Sequence, residues 1–197
     1  MHIGLVQVFH ARPETCHLDV QLAVSHDSLN FTRVGDRTPF IDAGTIGSWD
    51  RFNHSLANNS PIPVGDELRF YYGGRTYRHT PYKGKDTGPK NGGIGFATIK
   101  KDRFVSLQAS FDSGEIITKP LRIAGSDLHV NAKSDFGEIA VEVFDLAGNS
   151  IAKSKTIRSD NLDIVLDWRR GSLKRVNAPV VLRFTVKNAC LFAIWCT

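Results

Sequence analysis

The chain has 197 residues, 41% apolar and 23% charged, a balance that fits one large or two small globular domains and excludes an intrinsically disordered protein. No window approaches the roughly eighteen uninterrupted apolar residues of a membrane span, so no membrane partner is expected. The net charge of +5 makes a polyanionic partner a question to be settled from where the charges fall.

The first predicted element is a strand over residues 3–9, reached from Met1-His2 without a basic segment or a small-residue cleavage site. The expectation is therefore no secretion signal, cytoplasmic placement by default, and further sequence upstream, since first residues usually fray rather than open inside a strand. Residues 17–34 (HLDVQLAVSHDSLNFTRV) alternate through Val20, Leu22 and Val24 and end in a Ser25-His26-Asp27 turn. A second stretch, residues 47–107, runs through GSWD, an inner strand at 52–58, ELRFYYGG, and GGIGFATIKKDRFVSL. Turn signals fall at Val64-Gly65-Asp66, Gly73-Gly74, Gly92-Gly93, Asp112-Ser113-Gly114 and Ala147-Gly148-Asn149. Residues 75–91, rich in Gly, Lys, Thr and Pro, form the longest irregular piece, a length at which loops are commonly functional.

The style changes near Ser110, where aromatic, glycine-rich strands give way to shorter alternating ones. A boundary at about 109–115 predicts domains of residues 1–110 and 111–197. The second should hold seven or eight strands, among them 116–123, 127–132, 139–144, 164–168, 180–187 and 189–195, enough for a small β-sandwich. Helical periodicity is absent, and the protein is predicted to be all-β.

Basic residues concentrate in one region, where Arg69, Arg75, Arg78, Lys83, Lys85, Lys90, Lys100, Lys101 and Arg103 face Asp86 and Asp102. Tyr71, Tyr72, Tyr77 and Tyr82 lie nearby and have rings on which bases can stack, but no nucleic-acid module is present, which argues against that partner. Cys190 and Cys196 lie six positions apart in one predicted strand, roughly 20 Å at 3.3 Å per residue, too far to bridge. With Cys16 they make an odd number; a reducing compartment or a partial disulfide fits better than a disulfide framework, and the spacing fits no common zinc site. No metal and no cofactor is predicted.

Three sets of motifs carry a resemblance. Ser25-His26-Asp27-Ser28-Leu29-Asn30-Phe31 resembles the S-x-D-G-x-x-W turn that closes blade hairpins in sugar-active propellers, with Ser28 for the glycine and Phe31 for the tryptophan. Its aspartate is expected to accept backbone N–H groups of the turn, and its aromatic to plug a layer between blades. Further on, Gly47-Ser48-Trp49-Asp50, Gly65-Asp66-Glu67-Leu68, Tyr71-Tyr72-Gly73-Gly74, Ile94-Gly95-Phe96-Ala97-Thr98 and Asp102-Arg103-Phe104 follow in the order of one four-stranded blade. Together these resemble the last blades of the five-bladed propeller glycoside hydrolases of the family 32 and family 43 superfamily; the family 130 phosphorylases share the YYGG-to-IGxAT pattern. Thr118-Lys119-Pro120-Leu121, Leu128-x-Val130-Asn131 and Val181-Leu182-Arg183-Phe184 resemble the trailing β-sandwich of such proteins. The resemblance implies a partial propeller of about two blades followed by a sandwich. A closed propeller needs at least four blades, so an exposed blade edge is expected to pair with a second copy or another chain.

Glycoside hydrolysis uses one carboxyl as acid and another as base or nucleophile, and two blades supply only part of such a set. Asp50, before the inner strand, is the best candidate for a catalytic carboxylate, with a turn-capping role as the alternative. Trp49 is a candidate for stacking on a sugar and His54 for the same pocket, each weighed against a place in the core; Asp19 points either to the axis or to solvent. Arg75, Arg78 and His79 are a candidate phosphate contact of the phosphorylase kind. Glu14 and Glu67 lack the apolar setting that makes an acid, and the Lys83–Gly88 loop lacks the strand-to-helix setting of a phosphate loop. Three N-x-[ST] sites, at Asn30, Asn53 and Asn58, count only in a secreted protein. The expectation is a glycoside hydrolase-like fragment that acts on or binds carbohydrate without a complete catalytic set; the alternative is a non-catalytic carbohydrate-binding or assembly module.

Overall fold

The structure is a computed structural model and describes residues 1–11, 16–52, 54–80, 90–174 and 176–197. Glu14, Tyr82, the Lys83–Gly88 loop and the Asn53 acceptor lie outside the described residues. Among those described there is no α-helix, and every strand pair is antiparallel, so the chain is all-β as its alternation predicts. No helix is long and apolar enough to cross a membrane. The chain divides into two compact units, Met1–Ile99 and Lys100–Thr197.

In the first unit, β1 (His2–His10) and β2 (His17–Ser25) form a hairpin in which His10 faces His17 and His2 faces Ser25. The far edge of β2 is shared by β3 (Thr32–Arg33) and β4 (Pro39–Ile41). A second sheet comprises β5 (Ser55–Leu56), β6 (Ile62–Val64), β7 (Glu67–Arg75) and β8 (Gly92–Lys100), with β7 at its centre. The inner strand expected at 52–58 is thus cut to two residues. Gly65-Asp66 makes the tight β6–β7 turn with Gly65 at φ +56°, as predicted. Gly73-Gly74 and Gly92-Gly93 do not turn; they lie inside β7 and β8, for a reason that the site makes plain.

Central β2 buries both faces: Val20 and Leu22 on one side, Asp19, Gln21, Ala23 and Ser25 on the other. Alternation accounts for the first face; the second is a buried polar face, which must find partners within the protein. The predicted turn chemistry is present: Ser25 Oγ donates to Asp27 Oδ1 at 2.8 Å, which also accepts the N–H groups of Leu29 (2.9 Å) and Asn30 (2.8 Å). Phe31, 47% exposed, lies over Gly4, where a Cβ would meet its ring at 3.2 Å.

The second unit holds β9 (Leu107–Ala109), β10 (Gly114–Ile117), β11 (Leu128–Lys133), β12 (Glu138–Phe144), β13 (Ser150–Ser154), β14 (Asp160–Val165), β15 (Trp168–Arg170), β16 (Val181–Lys187) and β17 (Ala189–Cys196). One sheet runs β10-β16-β12-β13-β15, the other β14-β11-β17-β9. Leu107, read in the sequence as the end of a blade, pairs instead with Leu191 of β17. The inward residues of both sheets, including Val130, Val141, Leu182 and Phe184, share one core, because period-2 alternation sends every second side chain to the same face. Ala147-Gly148-Asn149 turns as expected, its Asn149 N–H donating to Asp145 Oδ1 at 2.8 Å. All three cysteines are unbridged.

The basic region is in part neutralised over long range. Arg103, its side chain 8% exposed, reaches Asp160 at 2.6 Å, Asn131 Oδ1 at 2.9 Å and the Ala132 carbonyl at 3.1 Å, with its guanidinium over Phe192. Lys100 pairs with Asp160 at 3.3 Å.

Candidate functional site

In the first unit an open cleft of about 630 Å³ is lined by His17, residues 43–46, Arg51 and Phe52. Main-chain bonds join the sheets around it: Leu18 N–H donates to the Phe52 carbonyl at 2.8 Å, and Phe52 N–H to the Arg75 carbonyl at 3.1 Å. The guanidinium groups of Arg51 and Arg78 stand 4.8 and 5.3 Å from the ring centroid of Phe52, which is buried, so two positive charges sit against that ring.

Beside the cleft, Ser48-Trp49-Asp50 repeats the local geometry of Ser25-His26-Asp27. Ser48 Oγ donates to Asp50 Oδ1, and the Asp50 N–H donates back to Ser48 Oγ at 3.3 Å. Here the second oxygen is used differently: Tyr72 of β7 donates its hydroxyl to Asp50 Oδ2 at 2.7 Å. Burial pushes the Asp50 carboxyl up, but the hydrogen bonds from Ser48 and Tyr72 outweigh it, and the group lies below its ordinary range. Tyr72 moves the other way, to about 12, through burial and the adjacent carboxylate.

Trp49 stacks on Tyr72 with centroids 5.6 Å apart, and its ring lies on a shelf of glycines. A Cβ at Gly74 would come within 2.7 Å of that ring, one at Gly95 within 2.6 Å. The Trp-Asp, Tyr-Tyr-Gly-Gly and Gly-Gly-Ile-Gly motifs are one packing unit, and this is why glycine pairs sit inside strands. Trp49 remains 38% exposed. His54 is fully buried, edge-on to Tyr72. Its Nε2 is 2.9 Å from the Asp50 carbonyl, which only accepts, so Nε2 carries the proton; Nδ1 has no partner among the described residues.

Asp19 is 1% exposed and faces the hairpin's histidines rather than solvent, with Oδ2 2.8 Å from His10 Nε2. The His10 and His17 rings stack 4.5 Å apart. Burial pushes the His17 imidazolium below its ordinary range, His10 and His54 add to this, and Asp19 and Asp42 oppose it. Arg75 and His79 are exposed and engage different rings: Arg75 covers Tyr77, and His79 tilts against Phe9 at 5.0 Å. The structure thus brings Trp49, Asp50 and His54 together around Tyr72, and Asp19 to a different group. His10, His17 and Arg51 were not singled out in the sequence. His10 and His17 carry a legible signal, two histidines closing a strand pair with an aspartate two places on; Arg51 carries none. In comparisons with protein-family models, curated proteins and solved structures, nothing matches this chain.

Proposed function

We propose that this chain is a non-catalytic carbohydrate-binding protein of glycoside hydrolase-like, propeller-derived architecture, with two blade-like sheets followed by a β-sandwich. The observation that carries the reading is the occupation of Asp50: both carboxylate oxygens accept hydroxyl donors from the protein itself, Ser48 and Tyr72. A general acid must hold a proton near neutral pH, whereas these bonds favour the ionised form, and to act as base or nucleophile Asp50 would first have to give up its Ser48 or Tyr72 donor. The cleft lined by His17, Arg51 and Phe52 offers an imidazole and a guanidinium as hydrogen-bond partners for sugar hydroxyls, which supports the binding reading. The shared core of the two sheets in the second unit supports the sandwich.

Glycan binding and aryl-glycoside turnover, measured together on the full chain, test the reading. Saturable binding without turnover, weakened at least about tenfold in Arg51→Ala, is expected, a loss of 1.4 kcal/mol or more. Turnover abolished by Asp50→Ala would replace the binding reading with hydrolysis.

The same architecture supports association through an open edge. Among the described residues, β1 pairs only with β2 and β8 only with β7, and β8 exposes Ile94 (85%) and Phe96 (50%).

A further inference from the structure

The end of the β1–β2 hairpin gathers three groups that chain order keeps apart. His17 and Asp19 share a face of β2 because residues two apart do so, and His10 joins them because it is the register partner of His17. The ligand-capable atoms of the three side chains lie within 4.8 Å of one another. The histidine rings stack 9° from parallel with centroids 4.5 Å apart, so their lone pairs lie in neighbouring planes and a rotation of one ring about its χ2 brings both nitrogens to one ion. Asp19, though 1% exposed, is held by a second layer: Gln21 Nε2 donates to Asp19 Oδ1 at 3.4 Å, and Arg33 donates to Gln21 Oε1 at 3.0 Å.

We propose that His10, His17 and Asp19 bind one divalent transition-metal ion of the zinc class through two imidazole nitrogens and one carboxylate oxygen. That donor set is the one found in zinc sites that keep a coordination position open, whereas calcium and magnesium take oxygen sets. The Gln21–Arg33 relay matches the outer-layer support that orients a ligating carboxylate. Because His17 also lines the cleft, an ion held there is reachable by whatever occupies the cleft. In the metal-free chain the His10–Asp19 hydrogen bond satisfies the buried carboxylate, and the ion replaces that proton. The inference does not rest on the carbohydrate reading, since it concerns the hairpin alone.

Metal-free full-length protein titrated with Zn²⁺ by calorimetry, with Co²⁺ absorption as the spectroscopic probe, tests it. One equivalent per chain is expected, weakened more than about tenfold in Asp19→Asn and in a His10→Gln/His17→Gln double variant. No uptake, or unchanged affinity in the double variant, would overturn the site. A measurement that needs no variant is histidine-selective acylation mapped by mass spectrometry. Zn²⁺ should protect His10 and His17 while exposed His2 and His26 still react. Equal labelling of His10 and His17 with and without Zn²⁺ contradicts the proposal.

Discussion

Tyr72 donates its hydroxyl to Asp50 Oδ2 at 2.7 Å, although the two residues lie on different elements 22 positions apart. The bond ties the 47–52 segment to the centre of β7, with Trp49 stacked on one side of the phenol ring and His54 edge-on to it. Tyr72→Phe keeps the packing and removes only this bond. A hydrogen bond to a charged group is worth about 1.5–3 kcal/mol, so a loss near the lower end is expected for a carboxylate that retains Ser48. Urea denaturation of wild type and variant measures it.

The same pair sets a pH dependence on both limbs. Asp50 lies below the unfolded carboxylate value of about 3.9, so its contribution is complete above that pH and is lost as pH falls through the lower folded value. Tyr72, raised to about 12, contributes fully below the unfolded phenol value, roughly 10, and loses this as pH rises to the folded one. Stability measured across pH should therefore fall at both ends in wild type. Tyr72→Phe should remove the alkaline contribution of this residue and shrink the acid one; unchanged limbs would show that the bond does not form in solution.

Gly95→Ala tests the glycine shelf. The added Cβ would meet Trp49 Cζ2 at 2.6 Å, and the ring has Tyr72 behind it. Overpacking of this kind costs about 1–3 kcal/mol. A lowered melting temperature together with red-shifted tryptophan fluorescence is expected, and wild-type values for both would refute the packing unit.

Arg103 holds a comparable position in the second unit, bonded to Asp160, Asn131 and the Ala132 carbonyl. Arg103→Met leaves Asn131, 1% exposed, without a donor to its Oδ1. A loss of about 2–4 kcal/mol is expected, below the 3–5 kcal/mol of a fully buried pair because Asp160 keeps 28% exposure. Arg103→Lys should rescue little, since a point charge cannot reproduce the fork.

Light scattering tests the open edges. Self-association that weakens in Ile94→Lys is expected, a charge on the edge strand being the usual protection against pairing. A monodisperse monomer at high concentration removes the edge-pairing proposal.

Much of the fold was legible in local patterns. Val20, Leu22 and Val24, and Val180, Leu182, Phe184 and Val186, alternate with the strand period, and Ser25-His26-Asp27 bonds within a few residues of itself. The glycine pairs misled because local rules assign glycine to turns, whereas Gly74 and Gly93 answer to an indole delivered from another segment.

By itself the sequence determined the all-β character, the alternating strands through Val20–Val24, Ile139–Val143 and Leu182–Val186, and the turn that Asp27 caps, because each follows from interactions between near neighbours along the chain. Only the tertiary structure decided that Asp50 is bound by Tyr72, that Leu107 belongs to the sheet of β17, and that His10, His17 and Asp19 converge. These depend on strand register and on which sheet face is buried, and a shift of one residue would send every such side chain to the opposite face.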